Sequence, residues 1–257
     1  MTERKQKTKE EHEKVYFTVI DYIKQLAMEG EIAFGGKIPS ERELMNTLGL
    51  SRNSIREALR SMENMGLIES RQGQGNFLVN HMGESLNRVF SMLLFMGESD
   101  YVEISQLRRF IEIGAYLLAV RKAKEEDLDR LDGIWRGINQ CSEEEKVKRD
   151  KEFHDEIIRI SGNRLLSILN ESLGDLFKTL IADLAMNIAS NDWDELCRCH
   201  EKVSRCLRDR DIQGGMKAIR EHYNIIDRDL EAYTKKAGNS EKAAKAREGA
   251  EGKTENL

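Results

Sequence analysis

Apolar residues recur at helical spacing along most of this chain, and one short stretch breaks the rhythm. Val15, Val19, Ile23 and Leu26 predict a helix over 11–29 that ends near Gly30. Ser40 opens "SERE", with Glu43 three residues on, a capping box for a short helix that stops at Gly49. Ser51 caps the next helix, Ile55, Leu59 and Met62 give it a buried stripe, and Gly66 ends it. Then the period changes. In "LIESRQGQGNFLV", Leu67 and Ile68 on one side and Phe77, Leu78 and Val79 on the other flank a glycine-bearing tip, which predicts a two-stranded hairpin.

From about residue 82 the helical period returns. It predicts seven helices, over 84–96, 101–122, 125–141, 143–161, 163–188, 192–210 and 212–235, most of them separated by glycine or short polar breaks. The remainder, "KKAGNSEKAAKAREGAEGKTENL", has too little apolar content to bury and is expected to be a disordered tail over 237–257. The fold class expected is mostly α. An N-terminal winged helix-turn-helix over 1–80, with a small β-hairpin wing, precedes a C-terminal antiparallel all-helical bundle over 81–236.

Helix, short turn, capped helix and hairpin is the order of a DNA-reading head. Arg52, Arg56 and Arg60 follow at steps of four along the third helix, with Asn53 beside them and the apolar stripe pointing elsewhere. A helix fits the major groove, and arginine can bond guanine O6 and N7 together. Arg42 on the preceding helix can reach the same edge, Ser51 at a helix N-terminus suits a phosphate, and the tip glycines Gly73 and Gly75 let backbone approach a minor groove. A solvated charged face on a helical hairpin is the plainer alternative for such a stripe.

Charge complicates this picture without removing it. The net charge of the 257 residues is −5. Residues 1–80 hold 12 basic and 12 acidic side chains and the rest hold the acidic excess, 34 against 29. A neutral head still presents a basic face if its arginines share one side. Charged residues make up 34% of the chain and a single proline, Pro39, interrupts it, which fits a helical protein with a heavily charged surface. No apolar run is long enough for a membrane span and no secretion signal opens the chain, so a cytoplasmic protein without membrane contact is expected. The four cysteines suggest no disulfide framework.

Three of the five histidines lie where an apolar residue would normally face a core. His154 shares a helix face with Ile157, Ile158 and Asp150; His200 with Leu196, Val203 and Leu207; His222 with Ile219, Ile226 and Leu230. One aspartate and three neutral imidazoles are a plausible site for a divalent transition ion, zinc or nickel rather than magnesium, whose occupancy falls as pH drops through the histidine range near ~6.5. Core histidines bonded to backbone or carboxylate are the commoner alternative. Cys197 and Cys199 flank His200 but are separated by ~200° of helix rotation, so both cannot face one ion and they are read as packing or surface thiols. Glu152 and Glu156 are expected at the surface.

"PSEREL…LGLSR…IREAL…GL…G.G.FLV", over roughly residues 12–80, resembles the signature of GntR-family transcriptional regulators, with Ile38 for the usual leucine and Leu50 for valine. The resemblance implies that Arg42, Arg52 and Arg56 contact an operator, that Ser51, Asn53 and Ser54 occupy neighbouring contact positions, and that Gly73 enters the minor groove. Residues ~85–235 are similar to the helical ligand-binding domain of the FadR subfamily, called FCD, through "LRRFIEIGAYLLA", "DKEFHDEII" and "CHEKVSRCLRDRDIQGGMKAIREHY". This second resemblance carries metal-ligand roles onto Asp150, His154, His200 and His222, and an effector carboxylate onto Arg108. The implied function is a homodimeric regulator on palindromic double-stranded operator DNA, controlled by a small organic acid near a metal. Two alternatives stand beside it: an architectural DNA binder with a purely structural metal, and a metal-dependent hydrolase carrying a DNA-binding head.

Overall fold

The computed structural model describes residues 16–138, 140–185 and 190–251. They divide between Val89 and Phe90 into two compact units.

The first unit holds α1 (16–28), α2 (Glu41–Leu48), α3 (Arg52–Asn64), β1 (Ile68–Arg71) and β2 (Gly75–Leu78). Ser40 closes a capping box with Glu43: its hydroxyl accepts from the Glu43 amide at 3.3 Å and its own amide donates to Glu43 Oε2 at 2.7 Å. Gly49 then stops α2 in the left-handed region, and Ser51 starts α3 by accepting from the Ser54 amide at 3.2 Å. Each helix contributes one apolar face to a shared core of Val19, Ile23, Leu44, Ile55, Leu59 and Met62, closed by Ile68 and Leu78 of the hairpin. The strands are antiparallel, with Ile68 opposite Leu78 and Arg71 opposite Gly75. On the outer side of β2 the segment before α2 runs alongside, through a bridge between Lys37 and Phe77 and a bond from the Ile38 amide to Asn76 O at 2.9 Å. That segment covers an edge which would otherwise offer unpaired amides.

The seven later helices are α4 (Met82–Met96), α5 (Tyr101–Lys122), α6 (Glu125–Ile138), α7 (Glu143–Ser161), α8 (Arg164–Ala185), α9 (Ser190–Arg208) and α10 (Ile212–Glu251). The unit boundary falls inside α4, later than the break after residue 80 read from the sequence. The reason is local: Ser85 Oγ and Arg88 Nη2 both donate at 3.2 Å to Asn64 O, a carbonyl that the end of α3 leaves unsatisfied. In the second unit α5 packs on α7, α8, α9 and α10, so it is the hub of the bundle. The core is built from Tyr116, Leu131, Phe153, Ile157 and Leu207. The fold class is as expected, mostly helical with one small hairpin. The tail is different: α10 continues through Glu251 where a disordered segment is expected from 237, since alanine, lysine, glutamate and arginine favour helix even without an apolar face. Residues 252–257 lie outside the described residues.

Gly66 fixes how α3 leads into the wing. Its φ is +71°, and a Cβ there would stand 2.4 Å from the His81 carbonyl oxygen, a backbone atom that cannot step aside. Replacing it with alanine is expected to cost about 1–3 kcal/mol through strain at positive φ and the clash. Urea unfolding of Gly66→Ala with the wild-type midpoint would contradict this account of the turn.

Candidate metal centre and nucleic-acid interface

α3 has two faces. Ile55, Ala58, Leu59 and Met62 are buried, while Arg52, Asn53, Arg56 and Arg60 are exposed. Arg42 is exposed on α2, and Ser51 and Ser54 share a hydroxyl hydrogen bond of 2.8 Å at the start of α3. The sequence reading missed Glu41. Its carboxylate lies 3.4 Å from Arg52 Nε and 3.6 Å from Arg56 Nε, so it holds both guanidinium groups on one side of the head. The signal was there: Glu41 immediately precedes Arg42 and opens α2, whose start faces α3 across a short turn. These ion pairs are exposed and therefore weak, and a nucleic-acid phosphate or guanine edge can replace the carboxylate. At the wing, Gly73 has φ +70° and open space where a Cβ would stand. Arg71 is folded back, 4.3 Å above the Phe77 ring and 2.8 Å from Glu69.

The second constellation is in the helical unit. Asp150 and His154 lie one turn apart on α7, His200 comes from α9 and His222 from α10. All four are buried, and one donor atom from each lies within 4.8 Å of the others. Three imidazoles converge on a single carboxylate oxygen: Asp150 Oδ1 is 3.1 Å from His200 Nε2, 3.3 Å from His222 Nε2 and 3.7 Å from His154 Nε2. His154 Nε2 and His200 Nε2 have no hydrogen-bond partner although they are fully buried. Unsatisfied imidazole nitrogens aimed at a carboxylate are costly in a dry interior, and a cation between them satisfies all of them. The four donors therefore fit a metal ion, with the chemistry of a site dominated by imidazole.

Around them is a shell that the sequence reading did not assign. Glu112 of α5 meets His154 Nδ1 at 2.7–2.8 Å, and Tyr223 donates to Glu112 Oε2 at 2.8 Å. Glu112 was legible as a carboxylate on the buried stripe of Ile104, Ile111, Ala115 and Ala119, one turn after Arg108. Arg108 is itself buried on α5, near enough to act electrostatically on the Tyr223 hydroxyl. Glu156 is corrected from surface to buried: it pairs with Arg159 at 2.7 Å and with Arg130 at 3.7 Å, away from the imidazoles. Cys197 and Cys199 are both buried, and burial pushes each thiol up to about 11, so they stay protonated and pack.

The electrostatics sort the imidazoles. Burial would raise Asp150, but the neighbouring histidines outweigh it and hold the carboxyl well below the usual range. Burial lowers His200, and burial with the charge on His154 lowers His222 to about 4. His154 is the exception: burial works against its charge, yet Glu112 and Asp150 overcome it and push its pKa up to about 10. Near neutrality one imidazole thus holds a proton between two carboxylates, and two are neutral.

A two-helix reading motif with a wing, followed by a helical bundle that buries one aspartate among three histidines, points to a transcription regulator. Residues 15–78 match the family model for bacterial regulatory proteins of the gntR family, and residues 103–224 match the FCD domain. The chain is 30% identical over 149 residues to the HTH-type transcriptional regulator LutR of Bacillus subtilis (strain 168), covering 57% of this chain and 68% of LutR. It is 29% identical over 211 residues to the regulator YcbG of the same strain, covering 81% and 86% of the two chains. The solved structure of a Streptococcus agalactiae GntR protein shares the fold with a TM-score of 0.66 at 22% identity, over 84% of this chain and 99% of that one. This chain belongs to the GntR family of transcriptional regulators, in the form that carries an FCD domain. The matched domains and relatives are regulators rather than enzymes, which sets the hydrolase alternative aside.

The proton on His154 changes the pH behaviour expected from an ordinary histidine. A divalent ion must displace that proton, while His200 and His222 are already neutral at pH 7. Loading the pocket is expected to release about one proton per ion, and affinity should keep rising with pH, about tenfold per unit, between pH 7 and 8. Zinc titrations by calorimetry in buffers of different ionisation enthalpy measure this. A flat affinity above ~6.5 with no proton released would show that His154 carries no proton to displace near neutrality.

Proposed function

We propose that this protein is a homodimeric, cytoplasmic regulator whose hold on a palindromic operator is set by a small organic acid bound beside a metal in the helical domain. The observation that supports this most is the convergence of three imidazole nitrogens on Asp150 Oδ1, in a domain joined to a DNA-reading head. On this reading Asp150, His154, His200 and His222 hold zinc or nickel. When bound, the ion supplies coordination positions at which oxygens of a carboxylate can replace water. Glu112 accepts a hydrogen bond from the Nδ1–H of His154 and so keeps its Nε2 turned to the ion, with Tyr223 fixing Glu112 in turn. Arg108 offers a cation for the acid's carboxylate.

At the head, Arg52 and Arg56 read base edges, released from Glu41 as the DNA supplies its own acceptors. Arg42, Ser51, Asn53 and Ser54 position the helix on phosphates and neighbouring bases, and Gly73 brings the wing backbone to the minor groove. Two identical heads meet a two-fold site, which is why the operator is palindromic. The near-complete burial of all four donors favours a second reading, in which the metal is structural and no acid binds.

Operator fragments selected from random duplexes allow both to be tested. Arg52→Ala is expected to cost about 1–3 kcal/mol on the selected site and to relax base preference. His200→Ala should lower metal content, and any acid found by thermal shift on zinc-loaded wild type should then lose its effect on operator gel shifts. Operator affinity indifferent to metal and to every acid leaves the structural-metal reading, and Arg52→Ala with unchanged affinity sinks the assignment of the reading face.

A further inference from the structure

α5 carries Arg108 and Glu112 inward, while its outer face exposes apolar side chains among polar ones. Leu107 and Leu117 are each 37% exposed and Phe110 is 68% exposed. With Glu103, Gly114 and Arg121 they form one line of spacing 4, 3, 4, 3, 4, the 3.5-residue period of a helix seam that packs on another helix. The seam is symmetric about position 112. Turned end for end, it sets Glu103 against Arg121, Leu107 against Leu117 and Phe110 against Gly114. Charge meets opposite charge, leucine meets leucine, and the largest side chain meets a position with none. Gly114 is an open socket: a Cβ added there has no atom within 4 Å. Glu103 commits Oε2 to its own cap, from the Asp100 amide at 3.1 Å and Ser99 Oγ at 3.0 Å, so its carboxylate is held in place.

We infer that α5 packs antiparallel against α5 of a second copy of this chain, with each Phe110 seated over the partner's open glycine position. A second copy supplies the inverted order of charge and size by symmetry alone. The seam runs for ~27 Å, five turns of helix, and excludes water from three exposed apolar side chains per copy. The inference rests on the homodimer reading and deepens it, because it places the interface on the helix whose other face holds Glu112 against His154. A change at the pocket then reaches the partner through one rigid element.

Sedimentation equilibrium of the full chain tests this. Gly114→Leu fills the socket and should raise the dimer dissociation constant roughly tenfold or more. Phe110→Ala combined with Gly114→Leu exchanges large for small across the seam and should return it to within a few-fold of wild type. Circular dichroism on the same samples establishes that the helices are retained, as the open space at Gly114 predicts. If wild type is dimeric and Gly114→Leu leaves its dissociation constant unchanged, or if the double variant is no tighter than the single, the α5 pairing is wrong while the homodimer reading stands. Wild type that sediments as a monomer at micromolar concentration overturns both.

Discussion

A carboxylate buried among four helices is the constraint around which the second unit is arranged. Asp150 has lost water, and an ionised group in that position must be met by donors or by a cation. Three histidines from α7, α9 and α10 come to it, and the charge on one of them is balanced by Glu112 from α5. The bundle is thereby pinned in register at one level, since no helix can rotate without leaving a polar atom stranded. A core made only of leucine and isoleucine would be more tolerant of such rotation. The same arrangement leaves the Nε2 atoms of His154 and His200, on the side of Asp150, without hydrogen-bond partners, which is a poor end state for a purely structural network and a good starting state for a metal site.

The head is held by a different balance. Its core is small, and its order depends on caps: Ser40 with Glu43, Gly49, Ser51 and Gly66 each fix a chain direction. With equal numbers of acidic and basic residues it has no net field to steer it toward DNA. On the proposed reading its face for nucleic acid comes from segregation, with arginines turned outward from one helix while a single glutamate pairs with two of them.

Much of this was legible in the sequence because period and punctuation act locally. The capping box at Ser40, the stop at Gly66 and the switch to alternation at Leu67 name α2, α3 and the wing residue by residue, and a histidine on an apolar stripe is conspicuous in any helix. What was not legible depends on distance along the chain. Glu112 and His154 are on different helices, and nothing in the local pattern of α5 says that its carboxylate meets an imidazole of α7. Glu41 pairs across the turn with residues that any helix-by-helix reading assigns to DNA alone. Glu156 looked superficial because glutamate usually is, but Arg159 and Arg130 neutralise it and let it sink. The last stretch of α10 went unseen because low apolar content argues against burial and does not by itself argue against helix.

On the proposed reading, the two functions of the chain meet on α5. Its inner face holds the carboxylate that orients His154 and the arginine that would receive an acid; its outer face carries the seam for a second copy. A helix of 22 residues packed against four others moves as a rod, so the pocket and the seam cannot shift independently. An acid that draws Arg108 toward the ion must either move α5 or strain it, and it favours whichever dimer geometry relieves that strain. A coupling of only about 1–3 kcal/mol is enough to change operator affinity some 5- to 150-fold, which lies within reach of one charge-assisted hydrogen bond made in one geometry and not in the other. The seam also explains why so small an input can matter: Phe110 over an empty glycine position has one seat, so a shift along the helix axis loses the contact outright.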